Sequence, residues 1–398
     1  MSNILKEAQA LEERLIAHRR YLHSHAETGF DLKETCEYVQ KTLENMGYQP
    51  EICGKGLVCT AGKGEKTFLL RADMDALPVR EEADVSFAAK NGCMHACGHD
   101  MHTAMLLGAA EILKRHEKEL QGCVKLMFQP AEETLCGARD MLENGLLENP
   151  KVDAGMMVHV MTGVPIQTGT VIIASAGVSA PGVSMFDIHV QGRGGHGATP
   201  HLCVDPINAA AHIILALQAL QAREMPAQSG AVLTIGSIQA GDAGNVIADS
   251  ALLRGSLRAY DEKDLAYLRT RLAEVVELTA RTFHAEAQVT FTSEAPTLIN
   301  DETLVKNSKK YLAHALGAER VMAASDLPGD SRASGSEDFA YVSHRVPTVM
   351  LALAAGDSRS GYTHSLHHPH TRFDEAALPF GAAAYAGMAM QYLKDAHA

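Results

Sequence analysis

The chain has 398 residues, of which 46% are hydrophobic and 21% charged, and this composition excludes a disordered, collagen-like or coiled-coil protein. The 35 basic and 48 acidic residues give a net charge of -13, which repels phosphate backbones and argues against nucleic acid as a partner. No stretch approaches the roughly 20 apolar residues of a membrane helix, and the amino-terminal residues are too charged for a signal peptide. We therefore expect a cytoplasmic protein whose eight cysteines are reduced thiols by default.

The amino-terminal part of the chain alternates between helical and strand patterns. Apolar residues at helical spacing predict helices over residues 4–23 and 32–46. The run TFLLRAD at residues 67–73 has the form of a buried strand, and a helix at 103–116 and a strand at 124–129 follow it. This alternation predicts a mainly parallel sheet with helices on its faces.

The pattern changes at about residue 182 and changes back near residue 295. In between, we predict a strand–helix–strand–strand–helix–strand series at residues 183–190, 205–222, 231–238, 251–259, 261–282 and 287–291. Such a series forms a compact two-layer unit. A helix, a buried strand and a last helix follow at residues 301–316, 346–353 and 376–396. We therefore predict that residues 1–180 and 295–398 form one α/β domain, into which a smaller α+β domain, residues 181–294, is inserted.

The densest group of potential metal ligands lies in residues 94–102, MHACGHDMH. Cysteine thiolate and neutral imidazole are good ligands for zinc and similar metals, and the intervening glycine lets Cys97 and His99 aim at one centre. Asp100 could orient an imidazole by a hydrogen bond. The alternatives are a few partly buried polar residues at a helix start, or a disulfide or half of a structural zinc site formed by Cys97 and Cys93.

Acidic residues follow two of the predicted strands. In an extended backbone, Glu132 and Glu133 of the segment FQPAEE would point to opposite sides, so that one could ligate a metal while the other faces a bound water as a base. The segment RADMDALP places Asp73 and Asp75 at the carboxyl end of another strand, where one of them could support a metal ligand. A solvated acidic turn and a capped turn, respectively, are the alternative interpretations.

Two further segments carry histidines. His159 lies within the apolar run MVHV, and residues 365–370 read SLHHPH. A single histidine in an apolar strand usually belongs to the core. Here, however, four separate segments each offer a metal-type ligand at the edge of a predicted strand or loop, and their joint occurrence favours a metal centre.

Residues 192–197, GRGGHG, match the dinucleotide-binding pattern G-x-G-x-x-G. We reject a nucleotide site because Pro200 prevents a helix from starting cleanly here, and because no acid follows about 20 residues later to bind a ribose. A flexible loop that presents His196 fits better. The chain also lacks G-x-S-x-G, H-E-x-x-H and Walker motifs, so serine hydrolases, zincins and P-loop enzymes have no support.

Taken in order, the segments RADMDALP, MHACGHDMHTAMLLGAAE, FQPAEE, GGHGATPH and SLHHPH resemble the M20 metallopeptidase family over nearly the whole chain. The nearest branch is that of the amidohydrolases, which includes hippurate hydrolases, N-acyl-L-amino acid amidohydrolases, N-acetyldiaminopimelate deacetylases and auxin-conjugate hydrolases. The resemblance implies an α/β fold of the di-metal exopeptidase type, with a mainly parallel mixed sheet flanked by helices. It also implies that the inserted two-layer α+β domain is a lid that forms a homodimer contact.

The resemblance further implies two divalent metal ions per chain, of manganese, zinc, nickel or cobalt. Five residues match the family's ligands: Cys97, His99, Glu133, His159 and His367. Cys97 corresponds to a bridging thiolate, Glu132 to the general base, and Asp75 to a carboxylate that supports the ligands from behind. Mixed sulfur, nitrogen and oxygen ligands do not identify the metal.

Three residues of the inserted domain also match family positions. His196 resembles the lid histidine that reaches the scissile carbonyl, from the same subunit or from a partner. Asn245 and Arg258 lie where lid residues bind substrate.

The chain departs from the family pattern at three places. Glu27 follows an alanine where a proline is usual, a change that touches no proposed ligand. His368 beside His367 makes the last ligand ambiguous, and we prefer His367 because family members commonly have a small or polar residue before the proline. Cys136 replaces a usual glycine and could add a reactive thiol or narrow the pocket.

The reaction implied by the resemblance is the hydrolysis of an N-acyl amino acid, hippurate-like or N-acetylated, to a carboxylic acid and a free amino acid. A metal-dependent dipeptidase or aminoacylase of the same fold is the nearest alternative. A metal-binding protein without catalysis is a further one, but a pure binding site needs no free carboxylate such as that of Glu132 beside its ligands.

Overall fold

The computed structural model describes residues 3–327 and 332–397. The chain divides into two compact units. The first comprises Met1–Ser179, Ile299–Arg332 and Glu337–Ala398, and the second comprises Ala180–Leu298 and Ala333–Ser336.

The helices and strands are as follows in chain order. The amino-terminal part contains α1 (Asn3–Gln9), α2 (Glu12–Ser24), α3 (Lys33–Asn45), β1 (Glu51–Cys53), β2 (Gly56–Gly62), β3 (Thr67–Asp73), α4 (His99–Arg115), β4 (Cys123–Gln129), α5 (Gly137–Glu143), β5 (Ala154–Met161), β6 (Val171–Ile173) and β7 (Gly177–Ala180). The middle part contains β8 (Gly182–Gln191), β9 (Gly195–His196), α6 (Pro206–Ala219), β10 (Val232–Ala240), β11 (Val246–Ile247), β12 (Ser250–Ala259), α7 (Glu262–Thr282) and β13 (Glu286–Ala295). The last part contains β14 (Leu298–Asn300), α8 (Glu302–Leu316), β15 (Val321–Ala323), α9 (Ala340–Ser343), β16 (Thr348–Ala354) and α10 (Leu378–His397).

The first unit is built on an eight-stranded sheet with the order β1-β2-β4-β3-β5-β16-β6-β15. Its central strands β4, β3, β5 and β16 run parallel to one another, whereas β1 and β2 extend the sheet as an antiparallel edge. The predicted mainly parallel mixed sheet is therefore confirmed. Parallel strands end at the same edge of a sheet, and the side chains that follow these strands meet there.

The central strand β3 shows why this sheet forms. All of its residues are buried, because α4 and α10 pack against it and its neighbours lie on both sides. An almost continuous apolar run with buried branched and aromatic side chains is typical of a parallel strand covered on both faces. Arg71 and Asp73, the charged residues of β3, lie next to the carboxyl edge of the sheet.

Two predicted helices differ from the structure at their ends. The predicted first helix is divided into α1 and α2, which are separated at Ala10 and Leu11. Helix α4 begins at His99 rather than at Thr103. The earlier start is possible because Gly98 before the helix has a φ of 89°, a left-handed conformation that other residues rarely adopt.

The second unit contains a four-stranded antiparallel sheet with the order β10-β12-β8-β13. Helices α6 and α7 pack on one face of this sheet, and their apolar residues form a core separate from that of the first unit. The order of elements is β8, α6, β10, β12, α7, β13, with the short strands β9 and β11 added. This is the strand–helix–strand–strand–helix–strand series that the sequence predicts.

Helix α10 is long and rich in alanine, and it packs against α4, α8 and the sheet of the first unit. Most of its residues are buried in this core, where they contact protein on several sides. In the described ranges 3–327 and 332–397, no helix combines the length and apolar character needed to cross a membrane.

Candidate metal centre

The predicted metal ligands lie at the carboxyl edge of the eight-stranded sheet. Glu133 follows β4, His159 lies near the end of β5, and Cys97 and His99 lie at the start of α4. His367 lies in the segment between β16 and α10. The parallel strands thus bring together segments that are far apart in sequence.

The structure brings all five of these side chains together. Cys97 Sγ lies 3.5 Å from His159 Nε2 and 3.3 Å from His367 Nε2. Glu133 Oε1 lies 3.4 Å from His367 Nε2 and 3.8 Å from His99 Nε2. Two groups, Cys97–His99–His159 and Cys97–Glu133–His367, each have their ligand atoms within 4.8 Å of one another. Cys97 belongs to both, as a bridging ligand would.

Two of these side chains have buried polar atoms that lack a normal partner. Among the residues that the structure describes, both ring nitrogens of His99 and Oε1 of Glu133 are buried without a hydrogen bond. Buried polar groups are nearly always satisfied, and such exceptions can mark an ion that is not part of the protein chain. Thiol, imidazole and carboxylate donors around these atoms form a set that suits borderline transition metals.

His159 is held in the tautomer that a metal ligand needs. Its Nδ1 lies 2.7 Å from the carbonyl oxygen of Val160, which can only accept, so Nδ1 carries the hydrogen. The lone pair is therefore on Nε2, the atom that faces Cys97. Burial lowers the pKa of His159, which favours the neutral imidazole.

The two glutamates lie in a turn, and the predicted extended arrangement is wrong. The amide of Leu135 donates to the carbonyl oxygen of Glu132 at 2.7 Å, and Ala131 and Leu135 both have positive φ values. Glu132 Oε2 and Glu133 Oε1 lie 3.9 and 3.8 Å from His99 Nε2, so both carboxylates face the same imidazole. A Cβ atom at position 137, just after the turn, would collide with the carbonyl oxygen of Pro130, which explains why this residue is a glycine.

Asp75 holds this turn in place. Its Oδ1 and Oδ2 accept hydrogen bonds from the amides of Glu132 and Glu133 at 3.0 and 3.1 Å. Oδ1 also lies 3.4 Å from His99 Nδ1. Asp75 therefore contacts the backbone amides of Glu132 and Glu133 and the imidazole of His99, as we expect of a carboxylate that supports the ligands.

Glu132 is buried close to two other acids. Its carboxylate and those of Glu337 and Asp338 lie within 4.8 Å of one another. Burial raises the pKa of Glu132 well above its usual range, and the nearby Glu337 and Glu133 raise it further. A carboxyl group with a raised pKa is suited to accept and return a proton near neutral pH.

A buried network around Arg71 was not predicted as part of the site. The guanidinium is fully buried and donates from Nε to Gln129 Oε1 at 2.8 Å, and from Nη1 to Asp73 Oδ2 at 2.7 Å. Its Nη2 donates to Glu337 Oε1 at 2.7 Å. An arginine within a buried apolar strand is itself a signal of such a network, since a buried charge needs partners.

Asp338 connects the network to the turn of the two glutamates. It accepts hydrogen bonds from Gln129 Nε2 at 2.6 Å and from the amide of Ala138, in α5, at 2.9 Å. No local sequence pattern links residues 337–338 to a site more than 200 residues earlier in the chain. Only the fold brings them together.

His102 is a further residue of the site without an assigned role in the prediction. Its Nε2 accepts a hydrogen bond from the amide of Val160 at 2.8 Å, so its Nδ1 carries the hydrogen and donates to Asp73 Oδ1 at 2.5 Å. Burial lowers the pKa of His102 to about 4, and the imidazole is neutral. His102 thereby ties Asp73 to the strand that carries His159.

Asp100 contacts a different histidine from the predicted ones. Its Oδ2 accepts from Arg19 Nε at 2.9 Å and lies 2.8 Å from His23 Nδ1. The prediction that Asp100 orients a metal-binding imidazole is therefore wrong, because its carboxylate pairs with two residues of α2, Arg19 and His23. Asp100 instead joins α4 to α2.

The structure distinguishes the two neighbouring histidines near the carboxyl terminus. His367 faces Cys97 and Glu133 and has a φ of 65°, a strained conformation that is found most often at functional sites. His368 instead stacks on His364 at 4.4 Å, and its Nδ1 accepts from the amide of His370. Of the two, only His367 therefore faces the other proposed ligands.

The three predicted lid residues lie in the second unit. His196 is exposed on β9, which pairs with β11, and its Nδ1 accepts from the amide of Ala198 at 3.0 Å. Asn245 is exposed, and its carbonyl oxygen accepts from Gly197. Arg258 lies on β12 and donates from Nη1 to Ser336 Oγ at 2.7 Å. Within this unit His196 and Asn245 are therefore close, whereas Arg258 is on a different strand pair.

Cys136 lies at the start of α5, three residues after Glu133. It is partly exposed, and its Sγ donates to the carbonyl oxygen of Thr134 at 3.1 Å. The thiol thus contacts the turn of the two glutamates. All eight cysteines of the chain are free thiols.

Comparisons with known proteins agree with this geometry. The sequence profile of Peptidase family M20/M25/M40 matches residues 69–391. IAA-amino acid hydrolase ILR1-like 2 of Arabidopsis thaliana is 38% identical over 385 residues, which cover 95% of this chain and 84% of that protein. N-acetyl-L-cysteine deacetylase of Bacillus subtilis (strain 168) is 35% identical over 374 residues, which cover 92% of this chain and 85% of that one.

A solved structure is similar throughout. The crystal structure of the Bacillus subtilis YXEP protein, described as a dinuclear metal binding peptidase from the M20 family, matches with a TM-score of 0.77 and 31% sequence identity. The match covers 97% of this chain and 99% of that one. The family resemblance seen in the sequence motifs is confirmed, and the chain belongs to Peptidase family M20/M25/M40.

Proposed function

We propose that this protein is a metal-dependent amidohydrolase that hydrolyses N-acyl amino acids to a carboxylic acid and a free amino acid. One observation carries the proposal. Glu132 lies beside the proposed ligands His99 and Glu133, with which its carboxylate forms a further group of possible ligands, but it belongs to neither of the two groups that share Cys97. A carboxylate in that position is available to move a proton.

We propose two divalent cations in this centre, held by Cys97, His99, Glu133, His159 and His367. The buried atoms of His99 and Glu133 that lack hydrogen bonds support this assignment, as does the tautomer of His159. The YXEP protein, with the same fold, is described as dinuclear. When bound, such ions supply Lewis acidity, which lowers the pKa of a water molecule and polarises a carbonyl group.

The proton transfers belong to Glu132. Its carboxylate accepts a proton from the attacking water, and the resulting carboxylic acid returns that proton to the leaving nitrogen. Asp75 fixes the amide of Glu132, and Glu337 and Asp338 favour the protonated form of Glu132 by their charge. The buried network thus holds the base in place between the two transfers.

Substrate recognition is assigned to the second unit. We propose that His196 donates a hydrogen bond to the carbonyl oxygen as charge develops on it, and that Asn245 and Arg258 bind the amino-acid part. Guanidinium and carboxylate pair by two parallel hydrogen bonds, which suits Arg258 to the free carboxylate of an N-acyl amino acid. Two relatives are named for hydrolysis of amino acid conjugates or for deacetylation of an N-acetyl amino acid.

Three finer assignments belong to the same proposal. The metal is manganese, zinc, nickel or cobalt, since the mixed donor set suits each of them. The second unit acts as a lid and forms a homodimer contact, and the protein is cytoplasmic. A metal-dependent dipeptidase of the same fold is the competing function, because the acyl pocket lies in loops that the ligand motifs do not specify.

The experiment that tests the proposal is a substrate panel. Metal-free protein is supplied with each of the four metals and assayed for amino acid release from hippurate, N-acetyl amino acids and unmodified dipeptides. We expect the N-acyl amino acids to be hydrolysed fastest, with Glu132→Gln as the background control. Faster cleavage of dipeptides would support the competing function, and no hydrolysis of any amide with any metal would refute both.

A further inference from the structure

Strands β3 and β5 separate at the edge of the sheet where the proposed metal ligands lie. The two strands pair in parallel from Phe68 and Ala154 to Arg71 and Met157, and the pairing then ends. Both strands continue beyond this point with their other neighbours, β3 with β4 and β5 with β16. A gap therefore opens between two central strands at their carboxyl ends.

The order of the strands explains why the gap lies here. Along the chain, β3 is followed by β4 on one side of it, and β5 then lies on its other side. Sites in open α/β sheets form where the strand order reverses in this way. A gap within a buried sheet leaves amides and carbonyl groups that need other partners. Two side chains supply such partners, that of Tyr385 in α10 and that of His102 in α4.

Tyr385 bridges the two strands at the start of the gap. Its hydroxyl donates to the carbonyl oxygen of Arg71 in β3 at 2.7 Å, and it accepts from the amide of Val158 in β5 at 3.2 Å. The tyrosine is fully buried. One hydroxyl thus occupies the space between the two strands and sets their separation at this point.

His102 forms a second bridge, nearer to the carboxyl edge. The amide of Val160 donates to its Nε2 at 2.8 Å, and its Nδ1 donates to the carboxylate of Asp73 at 2.5 Å. The carbonyl oxygen of the same Val160 lies 2.7 Å from Nδ1 of His159 and fixes the tautomer of that ring. His102 therefore holds the residue that orients a proposed metal ligand.

The backbone is thus fixed on both sides of His159, at Val158 and at Val160. We propose that Tyr385 is a positioning residue of the metal centre. Its hydroxyl and the imidazole of His102 keep β5 at the separation from β3 at which His159 faces the other ligands. The inference rests on the proposed role of His159 as a metal ligand, and it adds a residue of α10 that no ligand motif contains.

Loss of the hydroxyl should displace one strand only. In Tyr385→Phe, the two backbone groups at the start of the gap lose their common partner, and the strands can approach to pair directly. His159 would move with β5, whereas Glu133 and His367 lie on other segments. We therefore expect a weaker hold on the ion of the group that contains His159, and little change for the ion of the group that contains Glu133 and His367.

The test is a titration of metal-free protein with Co²⁺, followed by the visible absorption of the bound ions. This absorption depends on the donor atoms and on their geometry, so it reports on the position of His159 without any substrate. We expect the wild type to bind two equivalents. Tyr385→Phe should bind one of them about tenfold more weakly and with a changed spectrum, since residues that support metal ligands typically contribute about 10–100-fold to affinity.

The matched control is Tyr311→Phe. Tyr311 in α8 is likewise buried, and its hydroxyl donates to Asp395, near the end of α10, at 2.9 Å. The control variant loses a hydroxyl and a hydrogen bond in the same core, but away from the gap. It should therefore keep both cobalt affinities and the wild-type spectrum.

A second pair of variants tests the gap without changing Tyr385. His102→Gln keeps one acceptor and one donor at the tip of the side chain, whereas His102→Leu keeps neither. We expect His102→Leu to weaken the same cobalt equivalent, and His102→Gln to retain most of the affinity. This rescue would assign the effect to the bridge between the strands rather than to the volume of the side chain.

Identical cobalt affinities and spectra in the wild type and Tyr385→Phe would overturn the inference. An equal change in Tyr311→Phe would overturn it too, because the loss would then come from a general weakening of the core. A wild-type protein without cobalt–thiolate absorption would instead refute the proposed metal centre itself, and with it the role of His159 on which the inference rests.

Discussion

The metal centre of the first unit and the loop of His196 in the second unit are constructed in different ways. In the centre, Asp75 holds the backbone amide of Glu132, and Arg71 and His102 hold the carboxylate of Asp73. His196 is exposed, and the hydrogen bond of its ring is to the amide two residues later. The difference separates buried groups whose positions are fixed by contacts between distant segments from an exposed side chain with only a local hydrogen bond.

The largest effect should come from the base. Glu132→Gln removes the group that accepts the proton, and general-base catalysis contributes about 10²–10⁴-fold. We expect kcat to fall by about three orders of magnitude while the two cations stay bound. Turnover and metal content measured on the same samples check this. Glu133→Gln is the matched control, since it should lose metal affinity together with activity.

The buried network should contribute most to stability. Arg71→Met leaves Asp73, Glu337 and Asp338 without their common partner, and breaking a buried ion pair costs about 3–5 kcal/mol. Arg254→Met in the second unit is the control, because Arg254 is half exposed and 3.7 Å from Asp187, a pair that contributes less than about 1 kcal/mol. Urea titrations give both free energies of unfolding. Equal costs for the two variants would remove the contrast between the regions.

His196 should matter for the reaction and not for the fold. Loss of one donor to a developing oxyanion typically costs about a hundredfold in rate. We expect His196→Ala to lower kcat by about that factor, with unchanged metal content and thermal midpoint, because the side chain is exposed. Steady-state kinetics and thermal unfolding test both halves of the expectation. A lowered midpoint with normal kcat would assign His196 to structure instead.

The smallest effect is on metal affinity as a function of pH. Burial raises the pKa of Glu133 to about 7, although the His99 charge opposes the increase. Only the carboxylate form binds a cation, so affinity is complete above this pKa and is lost as the pH falls through it. We expect a decrease of about tenfold per pH unit below 7 for each proton displaced. Competition titrations between pH 5 and 8 measure the slope, and a flat profile would contradict this protonation.

Most of the centre could be predicted from the sequence because its ligands are chemically distinctive. Cysteine and histidine around Gly98, and paired glutamates after a buried strand, indicate metal chemistry one segment at a time. The parallel sheet was predictable for a different reason: its central strands are nearly continuous apolar runs. The edge strands β1 and β2 were not predicted. Strand β1 has only three residues, and β2 begins and ends with glycine, a residue that is depleted in strands.

What the sequence could not show depends on contacts between distant segments. Glu337 and Asp338 have no local pattern that relates them to Glu132, and their importance comes from meeting Arg71 in the folded chain. Asp100 was assigned by its proximity in sequence to His99, but a helix directs neighbouring residues to different faces. The turn at the two glutamates has positive φ values at Ala131 and Leu135. Alanine and leucine rarely adopt this left-handed conformation, so their presence in the sequence gives no sign of the turn.

The most direct test of the central claim is a crystal structure of the zinc-loaded Glu132→Gln protein, with the ions located by anomalous diffraction. We predict two zinc ions, each about 2.3 Å from the sulfur of Cys97. The side chain at position 132 should contact neither ion. A single ion, or two ions that do not share Cys97, would contradict the account.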